Sequence, residues 1–439
     1  MSNPFLPKWE YIPDGEPRVF NDRVYVYGSH DRVASEDFCD FKLKVWSASI
    51  DNLSDWICHG DAFHTRPDRN HLSDVDWTEY ELYAPDVVEN NGKYYLFAYI
   101  IHSKGCVAVS DNPEGPFKFV SLYQVPNTGE KDFEEGIFID PGVLVDNDGS
   151  VYIYCGYTHS FMAELNPANM FEIIENSYQR DIIPVEAPFA FFEACSPRKV
   201  GDTYYMIYSP TSSSKLAYAT SKSPKGPFEY RGIIIDNGVD YPGGNNHGSI
   251  CKIKDQWYIF YHRMTNNTIM SRRACVERIS ILDDGSIPQV DMTSLGFEEC
   301  LSPYKETEAE IACVLKGGCF ITEKNIMERP IINILPGCII GYKYFDFGQD
   351  YSATGMTLFM KINGSGQKGI VRIRLDSEDG LELGQGEITT DSGILRIPVP
   401  NVTGRHALFF AFESGRTSWI KGNFENRELC QLVGFLFSK

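Results

Sequence analysis

One pattern recurs five times through the first part of this chain and leaves few folds open. Each copy is an apolar run, a tight polar turn, and a second run dense in aromatics. The copies centre on Arg23-Val-Tyr-Val-Tyr27, Lys93-Tyr-Tyr-Leu-Phe97, Ser150-Val-Tyr-Ile-Tyr154, Thr203-Tyr-Tyr-Met-Ile207 and Gln256-Trp-Tyr-Ile-Phe260. With Tyr25, Tyr95, Tyr152, Tyr205 and Tyr258 taken as equivalent, the spacings are 70, 57, 53 and 53 residues. Self-similarity at roughly 40 to 50 residues or a little more, all strand and turn, is the sequence sign of a β-propeller. Five units predict five blades.

Nine to twelve residues ahead of each equivalent tyrosine stand Asp14, Asp86, Asp140, Glu193 and His247. The first strand of every propeller blade runs along the central axis, so residues at the starts of those strands converge although they are far apart in sequence. Four carboxylates and one imidazole are expected in one hollow. Mutual repulsion and desolvation make that arrangement costly, which favours an active site over a structural role.

At 439 residues the chain exceeds one ordinary domain, and two are expected. A formal net charge of -20 argues against a nucleic acid partner and against anionic membrane surfaces, and favours a neutral or cationic substrate. The opening MSNPFLPKWEYIPDG lacks a basic segment followed by an apolar one, which leads to the expectation of an unexported, cytoplasmic protein. The twelve cysteines are scattered without a C-x-x-C pair, so reduced, buried thiols are expected. Cys155, Cys195 and Cys251 read as small apolar filler near inner strands.

Other segments support the register. Ser110-Asp-Asn-Pro-Glu-Gly-Pro-Phe117 in the second unit returns in the fourth as Ser221-Lys-Ser-Pro-Lys-Gly-Pro-Phe228. In the third unit Asp146-Asn-Asp-Gly149 has the look of a calcium loop without its further ligand spacing or terminal glutamate, so a hairpin turn is expected. After Leu295 the pattern changes. An acidic connector, Tyr304-Lys-Glu-Thr-Glu-Ala-Glu310, leads into alternating segments around 356–361, 370–375, 394–399 and 406–412. The expectation is all-β: a five-bladed β-propeller over 1–295, followed by a β-sandwich, jelly-roll-like domain over 296–439.

The propeller motifs also resemble the family 43 glycoside hydrolases. The likeness covers roughly residues 8 to 295. It rests on Pro13-Asp14 with Glu16-Pro17, Ala84-Pro85-Asp86, Ile139-Asp140-Pro141, Phe192-Glu193, Asn246-His247-Gly248 and Tyr261-His262-Arg263 in that order. The last part, with Ile340-Gly-Tyr-Lys-Tyr-Phe-Asp-Phe-Gly348, Gly404-Arg-His-Ala-Leu-Phe-Phe410 and Phe435-Leu-Phe437, looks like a carbohydrate-binding module of family 6.

The resemblance implies an inverting, exo-acting glycosidase whose three acids map onto Asp14, Asp140 and Glu193. Inversion needs a carboxylate to deprotonate water and a carboxylic acid to protonate the leaving oxygen, about 6.5 to 9.5 Å apart. Asp14 is the candidate base, Glu193 the candidate acid, and Asp140 the residue that orients Glu193 and tunes it. Glu193 follows Phe189-Ala-Phe-Phe192, an apolar setting that raises its pKa. Asp86 is expected in the pocket wall. His247 is expected either to hydrogen-bond the substrate or, as in many relatives, to ligate a calcium ion completed largely by water. Arg263, Arg272 and Arg273 are candidates to clasp sugar hydroxyls, with Arg263 and Arg273 taken foremost. Tyr83 and Trp77 are candidates to stack on sugar faces, whereas Trp46, mid-strand, reads as core. The chemistry itself requires no cofactor.

Three activities compete. The first is hydrolysis of arabinose- or xylose-containing oligosaccharides or polysaccharides, with α-L-arabinofuranosidase ahead of β-xylosidase. The second is a retaining fructan-type hydrolase, disfavoured because Gly15 follows Asp14 and Ile139 precedes Asp140 where that group shows Asn-Asp-Pro-Asn and Arg-Asp-Pro. The third is a catalytically silent sugar-binding propeller, with Glu193-Ala194-Cys195 departing from the commoner Glu-Gly-Pro. Sugar, linkage and oligomeric state are left open.

Overall fold

The computed structural model describes residues 1–439 apart from 125–136, 212–213, 353 and 417–424. Five antiparallel sheets follow one another along the chain: four-stranded over 16–64, 82–122, 142–180 and 191–236, then three-stranded over 249–279. In each, the aromatic run forms the second strand, as Arg23–Tyr27 does against Glu16–Phe20. Val, Ile, Tyr and Phe suit these positions because their side chains pack on a pleated, buried surface. Local turn chemistry sets the pairing. The strands Leu82–Asn90 and Lys93–Ile100 are joined by Asn91 and Gly92 at φ 53° and 74°, the left-handed pair that a two-residue hairpin turn requires.

The first strands form a ring around the axis. Arg18 of the first sheet donates to Asp86 of the second and to the Val143 carbonyl of the third at 3.0 Å. Arg198 of the fourth reaches Glu16 of the first at 2.6 Å and the Ile250 carbonyl of the fifth at 3.0 Å. A parallel bridge from Gly15 to Gly248 joins the first and last sheets. The N-terminus completes the three-stranded fifth sheet. Phe5 N donates to the Ala274 carbonyl, and Asn3 exchanges two 2.9 Å bonds with the Val276 backbone. The repeat therefore builds a five-bladed propeller in which each inner strand is the edge of its own sheet, short and covered by its neighbours at the axis.

The duplicated turns are alike in detail: Gly115 N donates to Asn112 O and Gly226 N to Ser223 O, each at 3.1 Å. Asp146–Gly149 is a hairpin turn, with Asp146 N bonded to Ser150 O at 2.8 Å and the carboxylate paired with Lys199 and Tyr204. All twelve cysteines are free thiols; Cys58 is exposed, Cys300 half-buried and the rest buried. No helix among the described residues is long and apolar enough to cross a membrane.

Two further sheets pack face to face after residue 306. One orders Phe320–Ile321, Ile331–Ile334, Cys430–Ser438, Met356–Gly364 and Gly393–Val399, with Thr307–Glu308 also on Cys430–Ser438. The other orders Val314–Lys316, Ile339–Asp346, Arg405–Ser414, Gly369–Leu375 and Glu382–Ile388. Strict alternation in Gly369–Leu375 sends Val371 and Ile373 inward. This β-sandwich is not a separate bead. Its apolar core is continuous with that of the last two blades, from Tyr205, Ile250 and Tyr261 to Ile311, Tyr342 and Phe410.

Buried arginines cross the same boundary. Arg263, fully buried, donates to the carbonyls of Ala312 at 2.7 Å and Glu310 at 2.8 Å, while Arg273 pairs with the Glu310 carboxylate at 3.0 Å. Removing one partner of a buried ion pair leaves the other charge uncompensated. Glu310→Ala is expected to lower stability by about 3–5 kcal/mol in a denaturant titration, and a loss under about 1 kcal/mol would show that water replaces the carboxylate.

Candidate active site

Each acid of the trio sits at an irregular point of backbone just ahead of, or inside, an innermost strand. Asp14 and Asp140 have φ of 57° and 51°, and Ala194, next to Glu193, has φ 67°. Left-handed backbone at residues other than glycine is uncommon and gathers at functional sites. Around Glu193 the pairing of Phe191–Val200 with Thr203–Pro210 slips twice, between Phe191 and Glu193 and again before Ser196. Such bulges re-aim a side chain, and here the carboxyl turns to the axis.

The side chains meet in a pocket of about 510 Å³ lined by Asp14, Asp140, Glu193, His247 and Arg272, with Phe38, Tyr83, Ile101, Tyr157, Phe192 and Ile269 among its apolar walls. A larger groove of about 730 Å³ lies on the outer face of the fourth blade, where Glu229, Asp283 and Asp284 are exposed carboxylates with no axial convergence.

Asp14 is held by positive and polar groups. Arg272 donates to its Oδ1 at 2.9 Å and Ser29 Oγ to its Oδ2 at 2.7 Å, and the Nδ1 atoms of His262 and His247 lie 3.4 and 3.8 Å from Oδ1. Burial pushes its pKa up, but the Arg272 guanidinium, with the Ser29 hydroxyl, outweighs burial and holds it below the usual carboxylate range. Arg272 is itself locked by a fork onto Asp31, at 2.8 and 2.9 Å, with its guanidinium over the Phe38 ring.

Glu193 is the opposite case. Burial first, and the negative charge of Asp14 second, push it up to about 7 against a smaller pull from Arg272. Asp140 is raised as well, by burial and then by Glu193 and Asp14, while the Ala194 amide bonds its carboxylate. Asp140 and Glu193 titrate as a pair, and that pair carries a proton near neutrality while Asp14 is ionised.

His262, fully buried, lies behind Asp14. The Asp14 amide donates to its Nδ1 at 3.2 Å and its Nε2 faces the Asn245 carbonyl at 3.0 Å, which assigns the proton to Nε2. Burial lowers its pKa to about 3, so the ring is neutral. His247 Nδ1 stands 3.8 Å from both Asp14 Oδ1 and Asp140 Oδ2, and burial lowers its basicity too. A hard cation takes six to eight oxygens. Around His247 the side-chain oxygens are two carboxylates, one claimed by Arg272 and one in the proton-sharing pair. One imidazole nitrogen beside two carboxylates supplies few ligands, so water would provide most of the coordination of a calcium ion held at His247.

Three expected positions need correction. Asp86 is fully buried beneath the pocket, forked by Arg18 and bonded by the Val143 amide at 2.8 Å, so it is an axial brace and not a pocket wall. Arg263 and Arg273 face the sandwich. They pair across the hairpin and share one face of it, whereas Arg272, one residue along, points to the other face and into the pocket. Strand parity, unreadable until the register is known, decides which of the adjacent arginines meets substrate. Tyr83 lines the pocket as expected. Trp46 is core, donating to Glu10 at 2.9 Å, and half-buried Trp77 packs beside Phe119. Ser29, Asp31, Phe38, Tyr157 and His262 were not assigned roles from sequence. Ser29 and Asp31 lie directly after the first aromatic run, which is the signal that could have found them. Tyr157, 49% exposed, and Phe192, with ring centroids 5.0 Å apart, form an apolar platform beside Glu193.

Residues 3–287 match the family described as glycosyl hydrolases family 43. The chain belongs to that family. It is 36% identical to a xylosidase/arabinosidase of Thermoclostridium stercorarium, over 95% of this chain and 97% of that one. A solved family 43 β-xylosidase/α-arabinofuranosidase from a compost microbial metagenome, in complex with xylotriose, superposes with a TM-score of 0.56 at 26% identity, covering 66% of this chain and 97% of its own. An arabinoxylan arabinofuranohydrolase from Bacillus subtilis, at 23% identity and TM-score 0.54, covers 100% of this chain and 97% of its own, and shares the fold through both parts. This protein is thus a glycoside hydrolase, and the fructan-type and catalytically silent alternatives fall away.

The two protonation states fix the expected pH dependence. A general acid works while protonated, so kcat/KM should fall as pH rises through about 7, where Glu193 loses its proton. A general base works while ionised, and the acidic limb should lie below the ordinary carboxylate range because Asp14 is lowered. Arg272→Gln removes the strongest lowering charge and should move that acidic limb upward. A rate that climbs through pH 7 would contradict the assignment.

Proposed function

We propose that the protein is an inverting, exo-acting glycosidase that removes terminal pentosyl units from arabinoxylan-type chains, α-L-arabinofuranosyl foremost and β-xylosyl second. The observation that carries this is the convergence of Asp14, held by Arg272 at 2.9 Å and Ser29 at 2.7 Å, with Asp140 and Glu193 in one axial pocket. The names of the relatives, xylosidase/arabinosidase and arabinoxylan arabinofuranohydrolase, support the sugar class. The -20 charge suits a neutral substrate.

In this reading Asp14 takes a proton from a water whose oxygen attacks the anomeric carbon. The glycosidic bond breaks on the opposite face, and Glu193 hands its proton to the departing oxygen. Asp140 forms the buried, raised pair with Glu193, and that pair takes its next proton from solvent as Asp14 releases the one it gained. Arg272 keeps Asp14 ionised and oriented, fixed from behind by Asp31. Tyr157 and Phe192 offer a face to the leaving part of the chain, and Phe38, Tyr83 and Ile101 enclose the sugar to be released.

Leaving-group dependence separates acid from base. An alkoxide must be protonated as it departs, whereas a dinitrophenolate leaves unassisted. Glu193→Ala should lower kcat/KM on natural oligosaccharides by on the order of 10² to 10⁴ and spare activated aryl glycosides, while Asp14→Ala should impair both. Equal losses for Glu193→Ala on the two substrates would remove it from the acid role. NMR of the first-formed sugar should show an inverted anomeric configuration, and a nitrophenyl glycoside panel should rank arabinofuranoside and xyloside above hexosides.

A further inference from the structure

The hairpin that carries Arg272 ends at the sandwich. Its strands Gln256–Thr265 and Thr268–Ile279 are joined by Asn266 and Asn267, at φ 55° and 53°. Asn266 N donates to the carbonyl of Ile321 at 2.8 Å, and its side-chain oxygen accepts from Glu323 N at 2.7 Å. Its side-chain amide donates to the Tyr11 hydroxyl at 3.3 Å, and that hydroxyl donates in turn to the Glu323 carboxylate. Arg329, 4% exposed, clamps this knot from the sandwich side: 3.1 Å to Glu323, 2.7 Å to the Lys8 carbonyl, and over the Tyr11 ring.

Immediately beyond the turn the ladder slips. Thr265 pairs with Thr268 but Met264 pairs with Arg272, so residues 269–271 have no partners in register. This irregularity lets Ile269 and Arg272 both reach the pocket although three positions apart, where regular alternation would put them on opposite faces. Ile269 lies flat on the loop before His247. A side-chain carbon at Gly244 would fall 2.5 Å from Ile269 Cγ2. Within the slip, Thr265 Oγ1 donates to the Ser271 carbonyl at 2.9 Å and Met270 N to Thr268 Oγ1 at 3.2 Å, while the turn itself is fixed from the sandwich and from Tyr11. The Tyr11 carbonyl also accepts the amide of Asp31, the residue that locks Arg272.

We propose that Asn266 is a positioning residue for the sugar pocket: held by Ile321 and Glu323 of the sandwich, it sets where Ile269 closes the pocket, so that the C-terminal domain shapes pentose binding in the propeller. The inference rests on the pentosidase reading of that pocket and adds a residue and a route to it. The sandwich acts here through hydrogen bonds to one hairpin tip, a role distinct from holding a polysaccharide.

The test uses the full chain with Asn266→Gly, which keeps the left-handed turn free of strain while deleting the side-chain bonds. With the better hydrolysed of nitrophenyl α-L-arabinofuranoside and β-xyloside, KM should rise about three- to tenfold with kcat within about twofold. Ile269→Ala should raise KM on the order of tenfold. Because both act through one side chain, the double variant should bind no worse than Ile269→Ala alone. Additive losses, or a fall confined to kcat, would overturn the proposal. Amide hydrogen exchange over 266–272, read without substrate, should quicken in Asn266→Gly. Unchanged exchange overturns positioning by Asn266. Faster exchange in a protein that cleaves neither glycoside would uphold it and fault the pentosidase reading instead.

Discussion

The site depends on one cation. Arg272 is buried, holds Asp31 with two nitrogens, and turns its third nitrogen to Asp14. A carboxylate as deep as Asp14 would otherwise be driven toward its neutral form, and two more acids nearby would drive it further. With Arg272 in place the burden is shed unevenly: Asp14 keeps its charge, and the cost falls on Glu193 and Asp140, which keep a proton. A base and an acid arise from side chains of nearly equal intrinsic acidity because one of them sits against the guanidinium.

That cation is held from both sides of the molecule. Asp31 comes from the first blade and Arg272 from the last, so the contact forms only when the propeller closes. Below it lies a second layer of ion pairs, Arg18 with Asp86 and Arg198 with Glu16, that ties the first, second and fourth blades at the axis. The neighbouring Arg273 and Arg263 turn outward into the sandwich. Alternation along one strand thus sends adjacent arginines to two duties, one in the site and one in the domain contact.

The backbone at the acids carries its own signature. Asp tolerates left-handed backbone because its short side chain bonds locally, whereas alanine there costs roughly 1–2 kcal/mol. Ala194, at φ 67°, therefore occupies a position suited to glycine, and the departure from Glu-Gly-Pro noticed in the sequence has a conformational cost without removing the bulge that aims Glu193.

Much was settled by local chemistry and is readable in one dimension. Aromatic runs at near-constant spacing dictate strands, turn residues join them, and the repeat dictates a ring; the ring alone brings Asp14, Asp140, Glu193 and His247 to one axis. The all-β second part follows from its alternation. What the chain order could not express is depth and facing. Asp86 occupies an equivalent place in its repeat yet lies beneath the pocket, because Arg18 and the Val143 amide claim it there. Arg272 rather than Arg273 enters the site because pairing register fixes parity, and a slip of one residue would exchange them. Likewise Asn266 gains meaning only through contacts more than fifty residues away in the chain. Sequence periodicity determines which residues start a strand; only the packed structure decides which of them meet water, a partner charge or another domain, since burial and Coulomb energy depend on distance in space.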